Sequence, residues 1–243
     1  MDKSSAVRAM FDKLAPYYDL ANTVMSAGMD TLWRQRAVRM LAAPKDGRVL
    51  DLCCGTGPLT RLLAKSAPRG SVVGVDFSEA MLAVARRRPL RNVEYVQADV
   101  LDLPFPAQSF DGATMGFSLR NVTDIPRALR EIARVLRPGA RFVNLEVSKP
   151  QNRVVRDLFY LYFFGLVPLV GGFVGRDRAA YRYLPQSLVN FPDAKALAEL
   201  FRENQFTDVR YVSLMGGVTT LHAGSAPVAT QSAPVPSYAG AAT

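Results

Sequence analysis

From about Ser4 to Ala43 apolar residues recur at helical spacing, with Val7, Met10, Phe11 and Leu14 on one stripe, so the chain is expected to open on helices. Ser4 or Ser5 stands where a side chain would cap the first of them. The period then changes. Short apolar runs at Arg48–Cys53, Ser71–Val75, Val93–Ala98, Phe110–Met115 and Arg141–Val147 read as buried strands. Between them, Leu59–Lys65, Glu79–Arg88 and about Ile125–Leu136 read as helices, the last stopped by Arg137-Pro138-Gly139. Strand and helix alternating in this way predict an α/β fold, a doubly wound and mostly parallel sheet with helices on both faces.

The rhythm breaks after the fifth strand. Leu158–Val174 (LFYLYFFGLVPLVGGFV) is very apolar. It is shorter than the roughly 20 residues a spanning helix needs, and Gly165, Pro168, Gly171 and Gly172 interrupt it. The expectation is a cap helix over a site, or a lipid-facing surface, rather than a membrane span. An amphipathic helix follows at Ala194–Glu203. Asp208–Leu214 and Val218–His222 flank Gly216-Gly217 as a closing hairpin, which brings the sheet to seven strands. From Gly224 to Thr243 the chain is rich in Ala, Ser, Pro, Gly and Thr, and is expected to be disordered. The organisation predicted is one domain over 1–223, with N-terminal helices to about 45, a cap insertion over about 150–192, and a tail over 224–243.

Chemistry concentrates in Asp51-Leu52-Cys53-Cys54-Gly55-Thr56-Gly57, directly after the first predicted strand. A strand, a glycine-rich turn and a helix build a nucleotide crevice at the carboxyl edge of a parallel sheet. Asp76, at the end of the second strand, is where a carboxylate accepts both hydroxyls of a ribose. A dinucleotide site would want a third glycine, and Thr60 stands there instead. A methyl-donor site has no phosphate to hold and prefers an acidic group near the donor's positively charged methionine part, which Asp51 supplies. Asp99, after the third strand, is expected to accept the adenine amino hydrogen while the Val100 amide donates to the ring. Two glycines alone would be an ordinary turn. Asp51, Gly55, Gly57, Asp76 and Asp99 in order at successive strand ends favour S-adenosyl-L-methionine.

Composition adjusts this picture in three places. A net charge of +9 admits nucleic acid or anionic lipid as partner, or only a well-solvated surface. The two cysteines, Cys53 and Cys54, are adjacent and too few for a disulfide framework or a zinc site, so no metal is expected and the compartment reads as reducing. The opening Met-Asp-Lys-Ser-Ser has no apolar core for a signal peptide. The expected location is cytoplasmic, with a peripheral position at the inner face of the membrane also admitted.

Several separated motifs resemble the ubiquinone/menaquinone biosynthesis C-methyltransferases. They are Tyr18-Asp19-Leu20-Ala21-Asn22 with Ser26 and Trp33; Gly116-Phe117-Ser118-Leu119-Arg120-Asn121-Val122; and Arg134-Val135-Leu136-Arg137-Pro138-Gly139 with Glu146 and Ser148. Tyr183-Leu184, Asn190-Phe191-Pro192 and Gly216-Gly217-Val218 before His222 extend the likeness, which runs from about Arg8 to Gly224. The resemblance implies cofactor contacts at Thr56, Asp76, Asp99, Val100 and Gly116. The chain departs from the family pattern at Cys53, at Ala21 where methionine is usual, at Asp30 where histidine is common, and at Ala140 where a second glycine is common.

The resemblance also implies carbon methylation of a lipid-soluble, prenylated quinol, demethylmenaquinol first, with a benzoquinol or another small aromatic as alternatives. A quinol hydroxyl, with a pKa near ~10, is mostly neutral at pH 7, so the site needs a proton acceptor and something to stabilise the phenolate. Arg120, just after the fourth strand, is expected to stabilise that charge or orient a water, and Asn121 to fix the water. The plainer alternative for Arg120 is a structural salt bridge. Tyr17, Tyr18 and the aromatics of Phe159–Phe164 are candidates for a lid, or for core. A base-methylating enzyme would carry a Pro-Pro-aromatic turn after the fourth strand. Met115-Gly116-Phe117-Ser118 stands there, so nucleic acid is not expected as partner. A homodimer and contact with a membrane surface are both left open, and a non-catalytic scaffold of the same fold is the remaining rival.

Overall fold

A computed structural model describes residues 3–166 and 186–228. The N-terminal helical stretch is three helices: α1 (Lys3–Leu14), α2 (Tyr18–Met25) and α3 (Met29–Leu41). The chain turns between α2 and α3 at Ala27 and Gly28, both with positive φ. Then β1 (Arg48–Leu52), α4 (Pro58–Ser66), β2 (Ser71–Asp76), α5 (Glu79–Arg86) and β3 (Val93–Gln97) follow in strict alternation. The chain next crosses to the other side of β1 with β4 (Phe110–Gly116), α6 (Ile125–Val135) and β5 (Leu136–Val147). Ser78 caps α5 and Asp124 caps α6, each accepting a backbone amide of the first turn.

The sheet order is β3-β2-β1-β4-β5-β7-β6. Strands β1 to β5 run parallel, and β7 (Thr219–Ser225) lies antiparallel between β5 and β6 (Thr207–Leu214). Side chains alternate across it. Leu50, Leu52, Val73, Val75 and Phe142 pack toward α6 and α8 (Ala194–Glu203), whereas Val49, Val72, Val143 and Leu145 pack toward α3 and α4. Burial on both faces explains why β1, β2 and β4 read as apolar runs rather than alternating ones.

Two boundaries differ from the sequence expectation. Arg137-Pro138-Gly139 does not follow α6 as a separate turn. β5 starts at Leu136 and pairs there with Phe110, then bulges, with residues 137–140 standing against Asp111 alone before Arg141 meets Gly112. The first residues of the stretch expected as a tail from Gly224 belong to the sheet, and residues 229–243 lie outside the described residues. Gly224 and Ser225 finish β7, the Ala226 amide donates to the Ala140 carbonyl at 2.8 Å, and Ala226 accepts from the Gly139 amide at 3.0 Å. A Cβ at Gly224 would stand 3.0 Å from that of Phe206, so the strand packs tightly here.

The cap opens with α7 (Arg153–Tyr160), which Asn152 caps by accepting from the amides of Val154 and Val155. It continues as a wider π-helix over Leu161–Leu166. The second half of the Leu158–Val174 stretch and Tyr183-Leu184 lie outside the described residues. Among the described residues no helix is long and apolar enough to cross a membrane.

Candidate active site

The carboxyl ends of β1, β2 and β4 meet where the strand order reverses, the place where open α/β sheets hold ligands. The backbone between β1 and α4 coils tightly, with positive φ at Cys53, Gly55 and Gly57. Gly57 has a second constraint, since a Cβ there would come within 2.5 Å of the Tyr95 hydroxyl oxygen. The turn frames a cleft with about 1000 Å³ of empty space. Asp51, Gly55, Asp76, Asp99, Val100 and Gly116 line it, as expected for a cofactor site. Phe77, Met81 and Leu101 add apolar wall, and α1 and α2 close over it with Val7, Phe11 and Tyr18.

The carboxylates are held by bonds that the sequence did not disclose. Asp51 accepts from the hydroxyls of Thr60 at 2.6 Å and Thr114 at 2.8 Å. Asp76 accepts from the amides of Gly55 at 2.8 Å and Ser78 at 2.9 Å, one on each oxygen. Asp99 accepts from the Leu101 amide at 2.9 Å. Burial disfavours the charged form and pushes both Asp51 and Asp76 up to about 6, against the pull of these donors. The same desolvation, with carboxylates nearby, drives Cys53 and Cys54 well above the usual thiol range, so neither is primed as a nucleophile.

A second, mostly apolar cavity with about 870 Å³ of empty space shares Phe11 and Tyr18 with the first. Ala21, Met25, Trp33, Phe159 and Phe163 line it, and Asp30 and Arg120 are the charged groups in its wall. Arg120 is buried and paired with Glu146 of β5. Its Nη1 also donates to the Phe117 carbonyl at 2.7 Å and its Nε to the Ser187 hydroxyl at 3.2 Å. The salt bridge weighed as the plainer alternative is therefore present, yet the residue still faces the second cavity. Asn121 lies in the wall of the first cavity instead, and its Oδ1 is buried without a hydrogen-bond partner among the described residues.

Thr56 and Gly57, expected at the cofactor, are not part of the cleft wall. The Thr56 hydroxyl donates to Asp19 of α2 at 2.5 Å, and the Ser78 hydroxyl donates to Asp12 of α1 at 2.5 Å, so the N-terminal helices are tied to the rim. His222 is remote from both cavities. It is buried beside Phe201 and Tyr211, bonded through Nε2 to the Ala194 carbonyl, and desolvation lowers its pKa to about 4. Arg34, Ser118 and Glu146 as the partner of Arg120 are site features that sequence reasoning did not name. Arg34 comes from α3 and Glu146 from β5, so only tertiary packing brings them in, although Ser118 and Glu146 already stood inside resembling motifs.

A sequence model of the ubiE/COQ5 methyltransferase family matches residues 1–226. The chain belongs to that family. It is 45% identical over 235 residues to the demethylmenaquinone methyltransferase of Symbiobacterium thermophilum, covering 92% of this chain and 94% of the relative. It is 39% identical over 232 residues to that of Desulfitobacterium hafniense, covering 93% and 92%. A Thermotoga maritima S-adenosylmethionine-dependent methyltransferase shares the fold with a TM-score of 0.65 at 21% identity, over 90% of this chain and 99% of the other. The enzyme is an S-adenosylmethionine-dependent methyltransferase. Its cleft fits that cofactor: a carboxylate at each of three strand ends, an apolar wall for a base, and Asn121 in the wall with its buried Oδ1 orphaned among the described residues.

Proposed function

We propose that the enzyme methylates a ring carbon of a polyprenylated quinol, demethylmenaquinol foremost, and that the second cavity receives the ring and the start of its tail. The observation that carries this reading is an apolar cavity adjoining the donor cleft, with buried charged groups in its wall. The relatives' names point to the same acceptor.

The cofactor supplies, when bound, a methyl group on a positively charged sulfur. Asp76 would accept the ribose hydroxyls on the lone pairs that Gly55 and Ser78 leave over, and Asp51 would face the methionine part. Asp99 and Val100 would hold the base. Phe11 and Tyr18, shared by both cavities, keep water from the line between donor and acceptor. Arg120 cannot take a proton, because guanidinium stays charged. Of its five N–H donors, the bonds to Phe117, Glu146 and Ser187 leave those of Nη2 over among the described residues, and we assign these to the acceptor oxygen as its charge develops. Glu146 holds the guanidinium still, and Asn121 fixes a water or the cofactor from the other cavity.

We also assign the enzyme to the cytoplasmic side of a membrane as a peripheral protein. Val154, Leu158 and Leu161 stand outward on one side of the cap at 68%, 63% and 74% exposure, beside Arg153 and Arg156, which share Asp157 as a counter-ion and leave a net positive charge. An apolar stripe with basic neighbours suits an anionic lipid surface that carries the quinol. The test is methyl transfer from labelled cofactor to short-chain naphthoquinol and benzoquinol analogues, with thermal shift by S-adenosylhomocysteine as a check on the cofactor site. Transfer to the naphthoquinol is expected to dominate. Dominant transfer to the benzoquinol would move the assignment to that ring, and no transfer to either would end it.

A further inference from the structure

Asp30 is a residue that the assigned chemistry leaves unused. It is the second residue of α3, 6% exposed, and stands in the wall of the second cavity with Ser26, Trp33 and Phe117. One oxygen accepts from the Ser26 hydroxyl at 3.0 Å and the other from Arg34, one turn along the helix. Arg34 is equally buried, lies over the Phe117 ring at 5.4 Å, and faces the first cavity. The pair therefore spans the partition, with the carboxylate on the acceptor side and the guanidinium on the donor side.

A carboxylate offers about four acceptor positions, and Ser26 and Arg34 use two. The remainder can only accept. We infer that Asp30 receives the hydroxyl hydrogen of the acceptor ring and thereby makes the site selective for the reduced, hydroxylated ring over its oxidised form. A quinol brings O–H donors to this carboxylate. A quinone brings carbonyl oxygens, which are also acceptors, so lone pairs face lone pairs in a cavity with little water to separate them. Arg120, a donor only, has no such preference, because it can donate to either form. The inference rests on the reading that the second cavity holds the acceptor ring.

The probes are 2,3-dimethyl-1,4-naphthoquinone and its diol, the diol kept anaerobically under reductant. Their blocked ring carbons resist both methylation and addition of the cleft cysteines. Binding of each to the S-adenosylhomocysteine complex is measured for the wild type and for Asp30→Asn, which keeps the shape but offers amide donors. The wild type is expected to prefer the diol by roughly ten- to hundredfold, the ratio that a hydrogen bond to a charged group confers. Asp30→Asn is expected to bring the two forms near parity, with unchanged affinity for S-adenosylhomocysteine. Because Asp30→Asn leaves Arg34 buried without its anion, the double variant Asp30→Asn/Arg34→Gln is measured alongside, and parity is expected there too. A diol preference that survives in both variants, or a wild type that binds the two forms alike, overturns the assignment while leaving the acceptor cavity in place. A wild type that binds neither form overturns the acceptor reading, and this inference with it.

Discussion

Asp76 gives each of its oxygens to one backbone amide and keeps lone pairs for a ligand. Asp76→Ala is expected to weaken S-adenosylmethionine binding about ten- to hundredfold, read by calorimetry. Acid should act in the same direction. Asp51 and Asp76 take up protons near pH 6, so below that value protons compete with a cationic ligand. The dissociation constant should be flat above pH 7 and rise below pH 6 by up to about tenfold per unit for each carboxylate in the contact. A flat profile down to pH 5 would remove both carboxylates from the contact. His222 adds an effect of acid on stability. Its folded pKa of about 4 lies below the ordinary 6.5, so its contribution is complete above pH 6.5 and is lost as pH falls toward 4. Over that window the loss amounts to about 3 kcal/mol. The two aspartates work the other way, their contribution being full below 3.8 and lost as pH rises through 6. Comparing wild type with His222→Gln by urea unfolding between pH 4 and 7 isolates the histidine, and the stability gap should shrink toward acid. Arg120→Ala should depress turnover, as the sequence suggested, and also destabilise the protein by about 3–5 kcal/mol, because Glu146 is left buried and unpaired. Arg120→Ala/Glu146→Ala should then cost clearly less than the two single changes added together.

At the scale of elements, the cap separates two jobs that its composition had merged. Phe159 and Phe163 are buried, stacked with centroids 5.0 Å apart, and clustered with Leu14 and Ala21 of the N-terminal helices. Tyr162 donates to the Met25 carbonyl and ties the same face down. Leu158 and Leu161 point outward. Phe163→Ser should therefore lower stability by about 3 kcal/mol and harm turnover on long-tailed and tail-less quinols alike. Leu161→Ser should change stability by no more than about 0.5 kcal/mol, and should reduce binding to anionic vesicles and turnover on long-tailed substrate only. A melting temperature that collapses in Leu161→Ser would mean that this residue packs rather than faces lipid. Alternating hydrophobicity foretold most of the secondary structure, and Ala194–Glu203 was read to the residue. The breaks within the N-terminal helices were not foretold, although Pro16 lies between α1 and α2 and Gly28, with positive φ, between α2 and α3.

For the whole molecule, β7 is the strand that closes the sheet, and it reaches farther than composition suggested. Truncation before Gly224 removes ladder bonds to Arg141 and Thr207 and the bonds between Ala226, Ala140 and Gly139. It should lower stability by roughly 2–4 kcal/mol, at about 1 kcal/mol for each backbone bond lost, as read by urea unfolding. Truncation after Val228 keeps every one of these bonds and is the control. The small residues Gly224, Ser225 and Ala226 looked like linker because sequence alone cannot tell an exposed run of small side chains from one buried beneath Phe201 and Phe206. By itself the sequence determined the order of strands and helices, the glycine turn and the row of aspartates, since periodicity, backbone freedom and charge are properties of neighbouring residues. The tertiary structure decided what depends on distant segments meeting. It paired Arg120 with Glu146 across 26 positions, turned Thr56 toward Asp19 and away from the cleft, and buried His222 far from the chemistry. It also set Asp30 and Arg34 in the partition between two cavities that no local pattern could outline. A side chain's type follows from its codon, but its partner and its dielectric surroundings follow from which surfaces the packed sheet brings into contact.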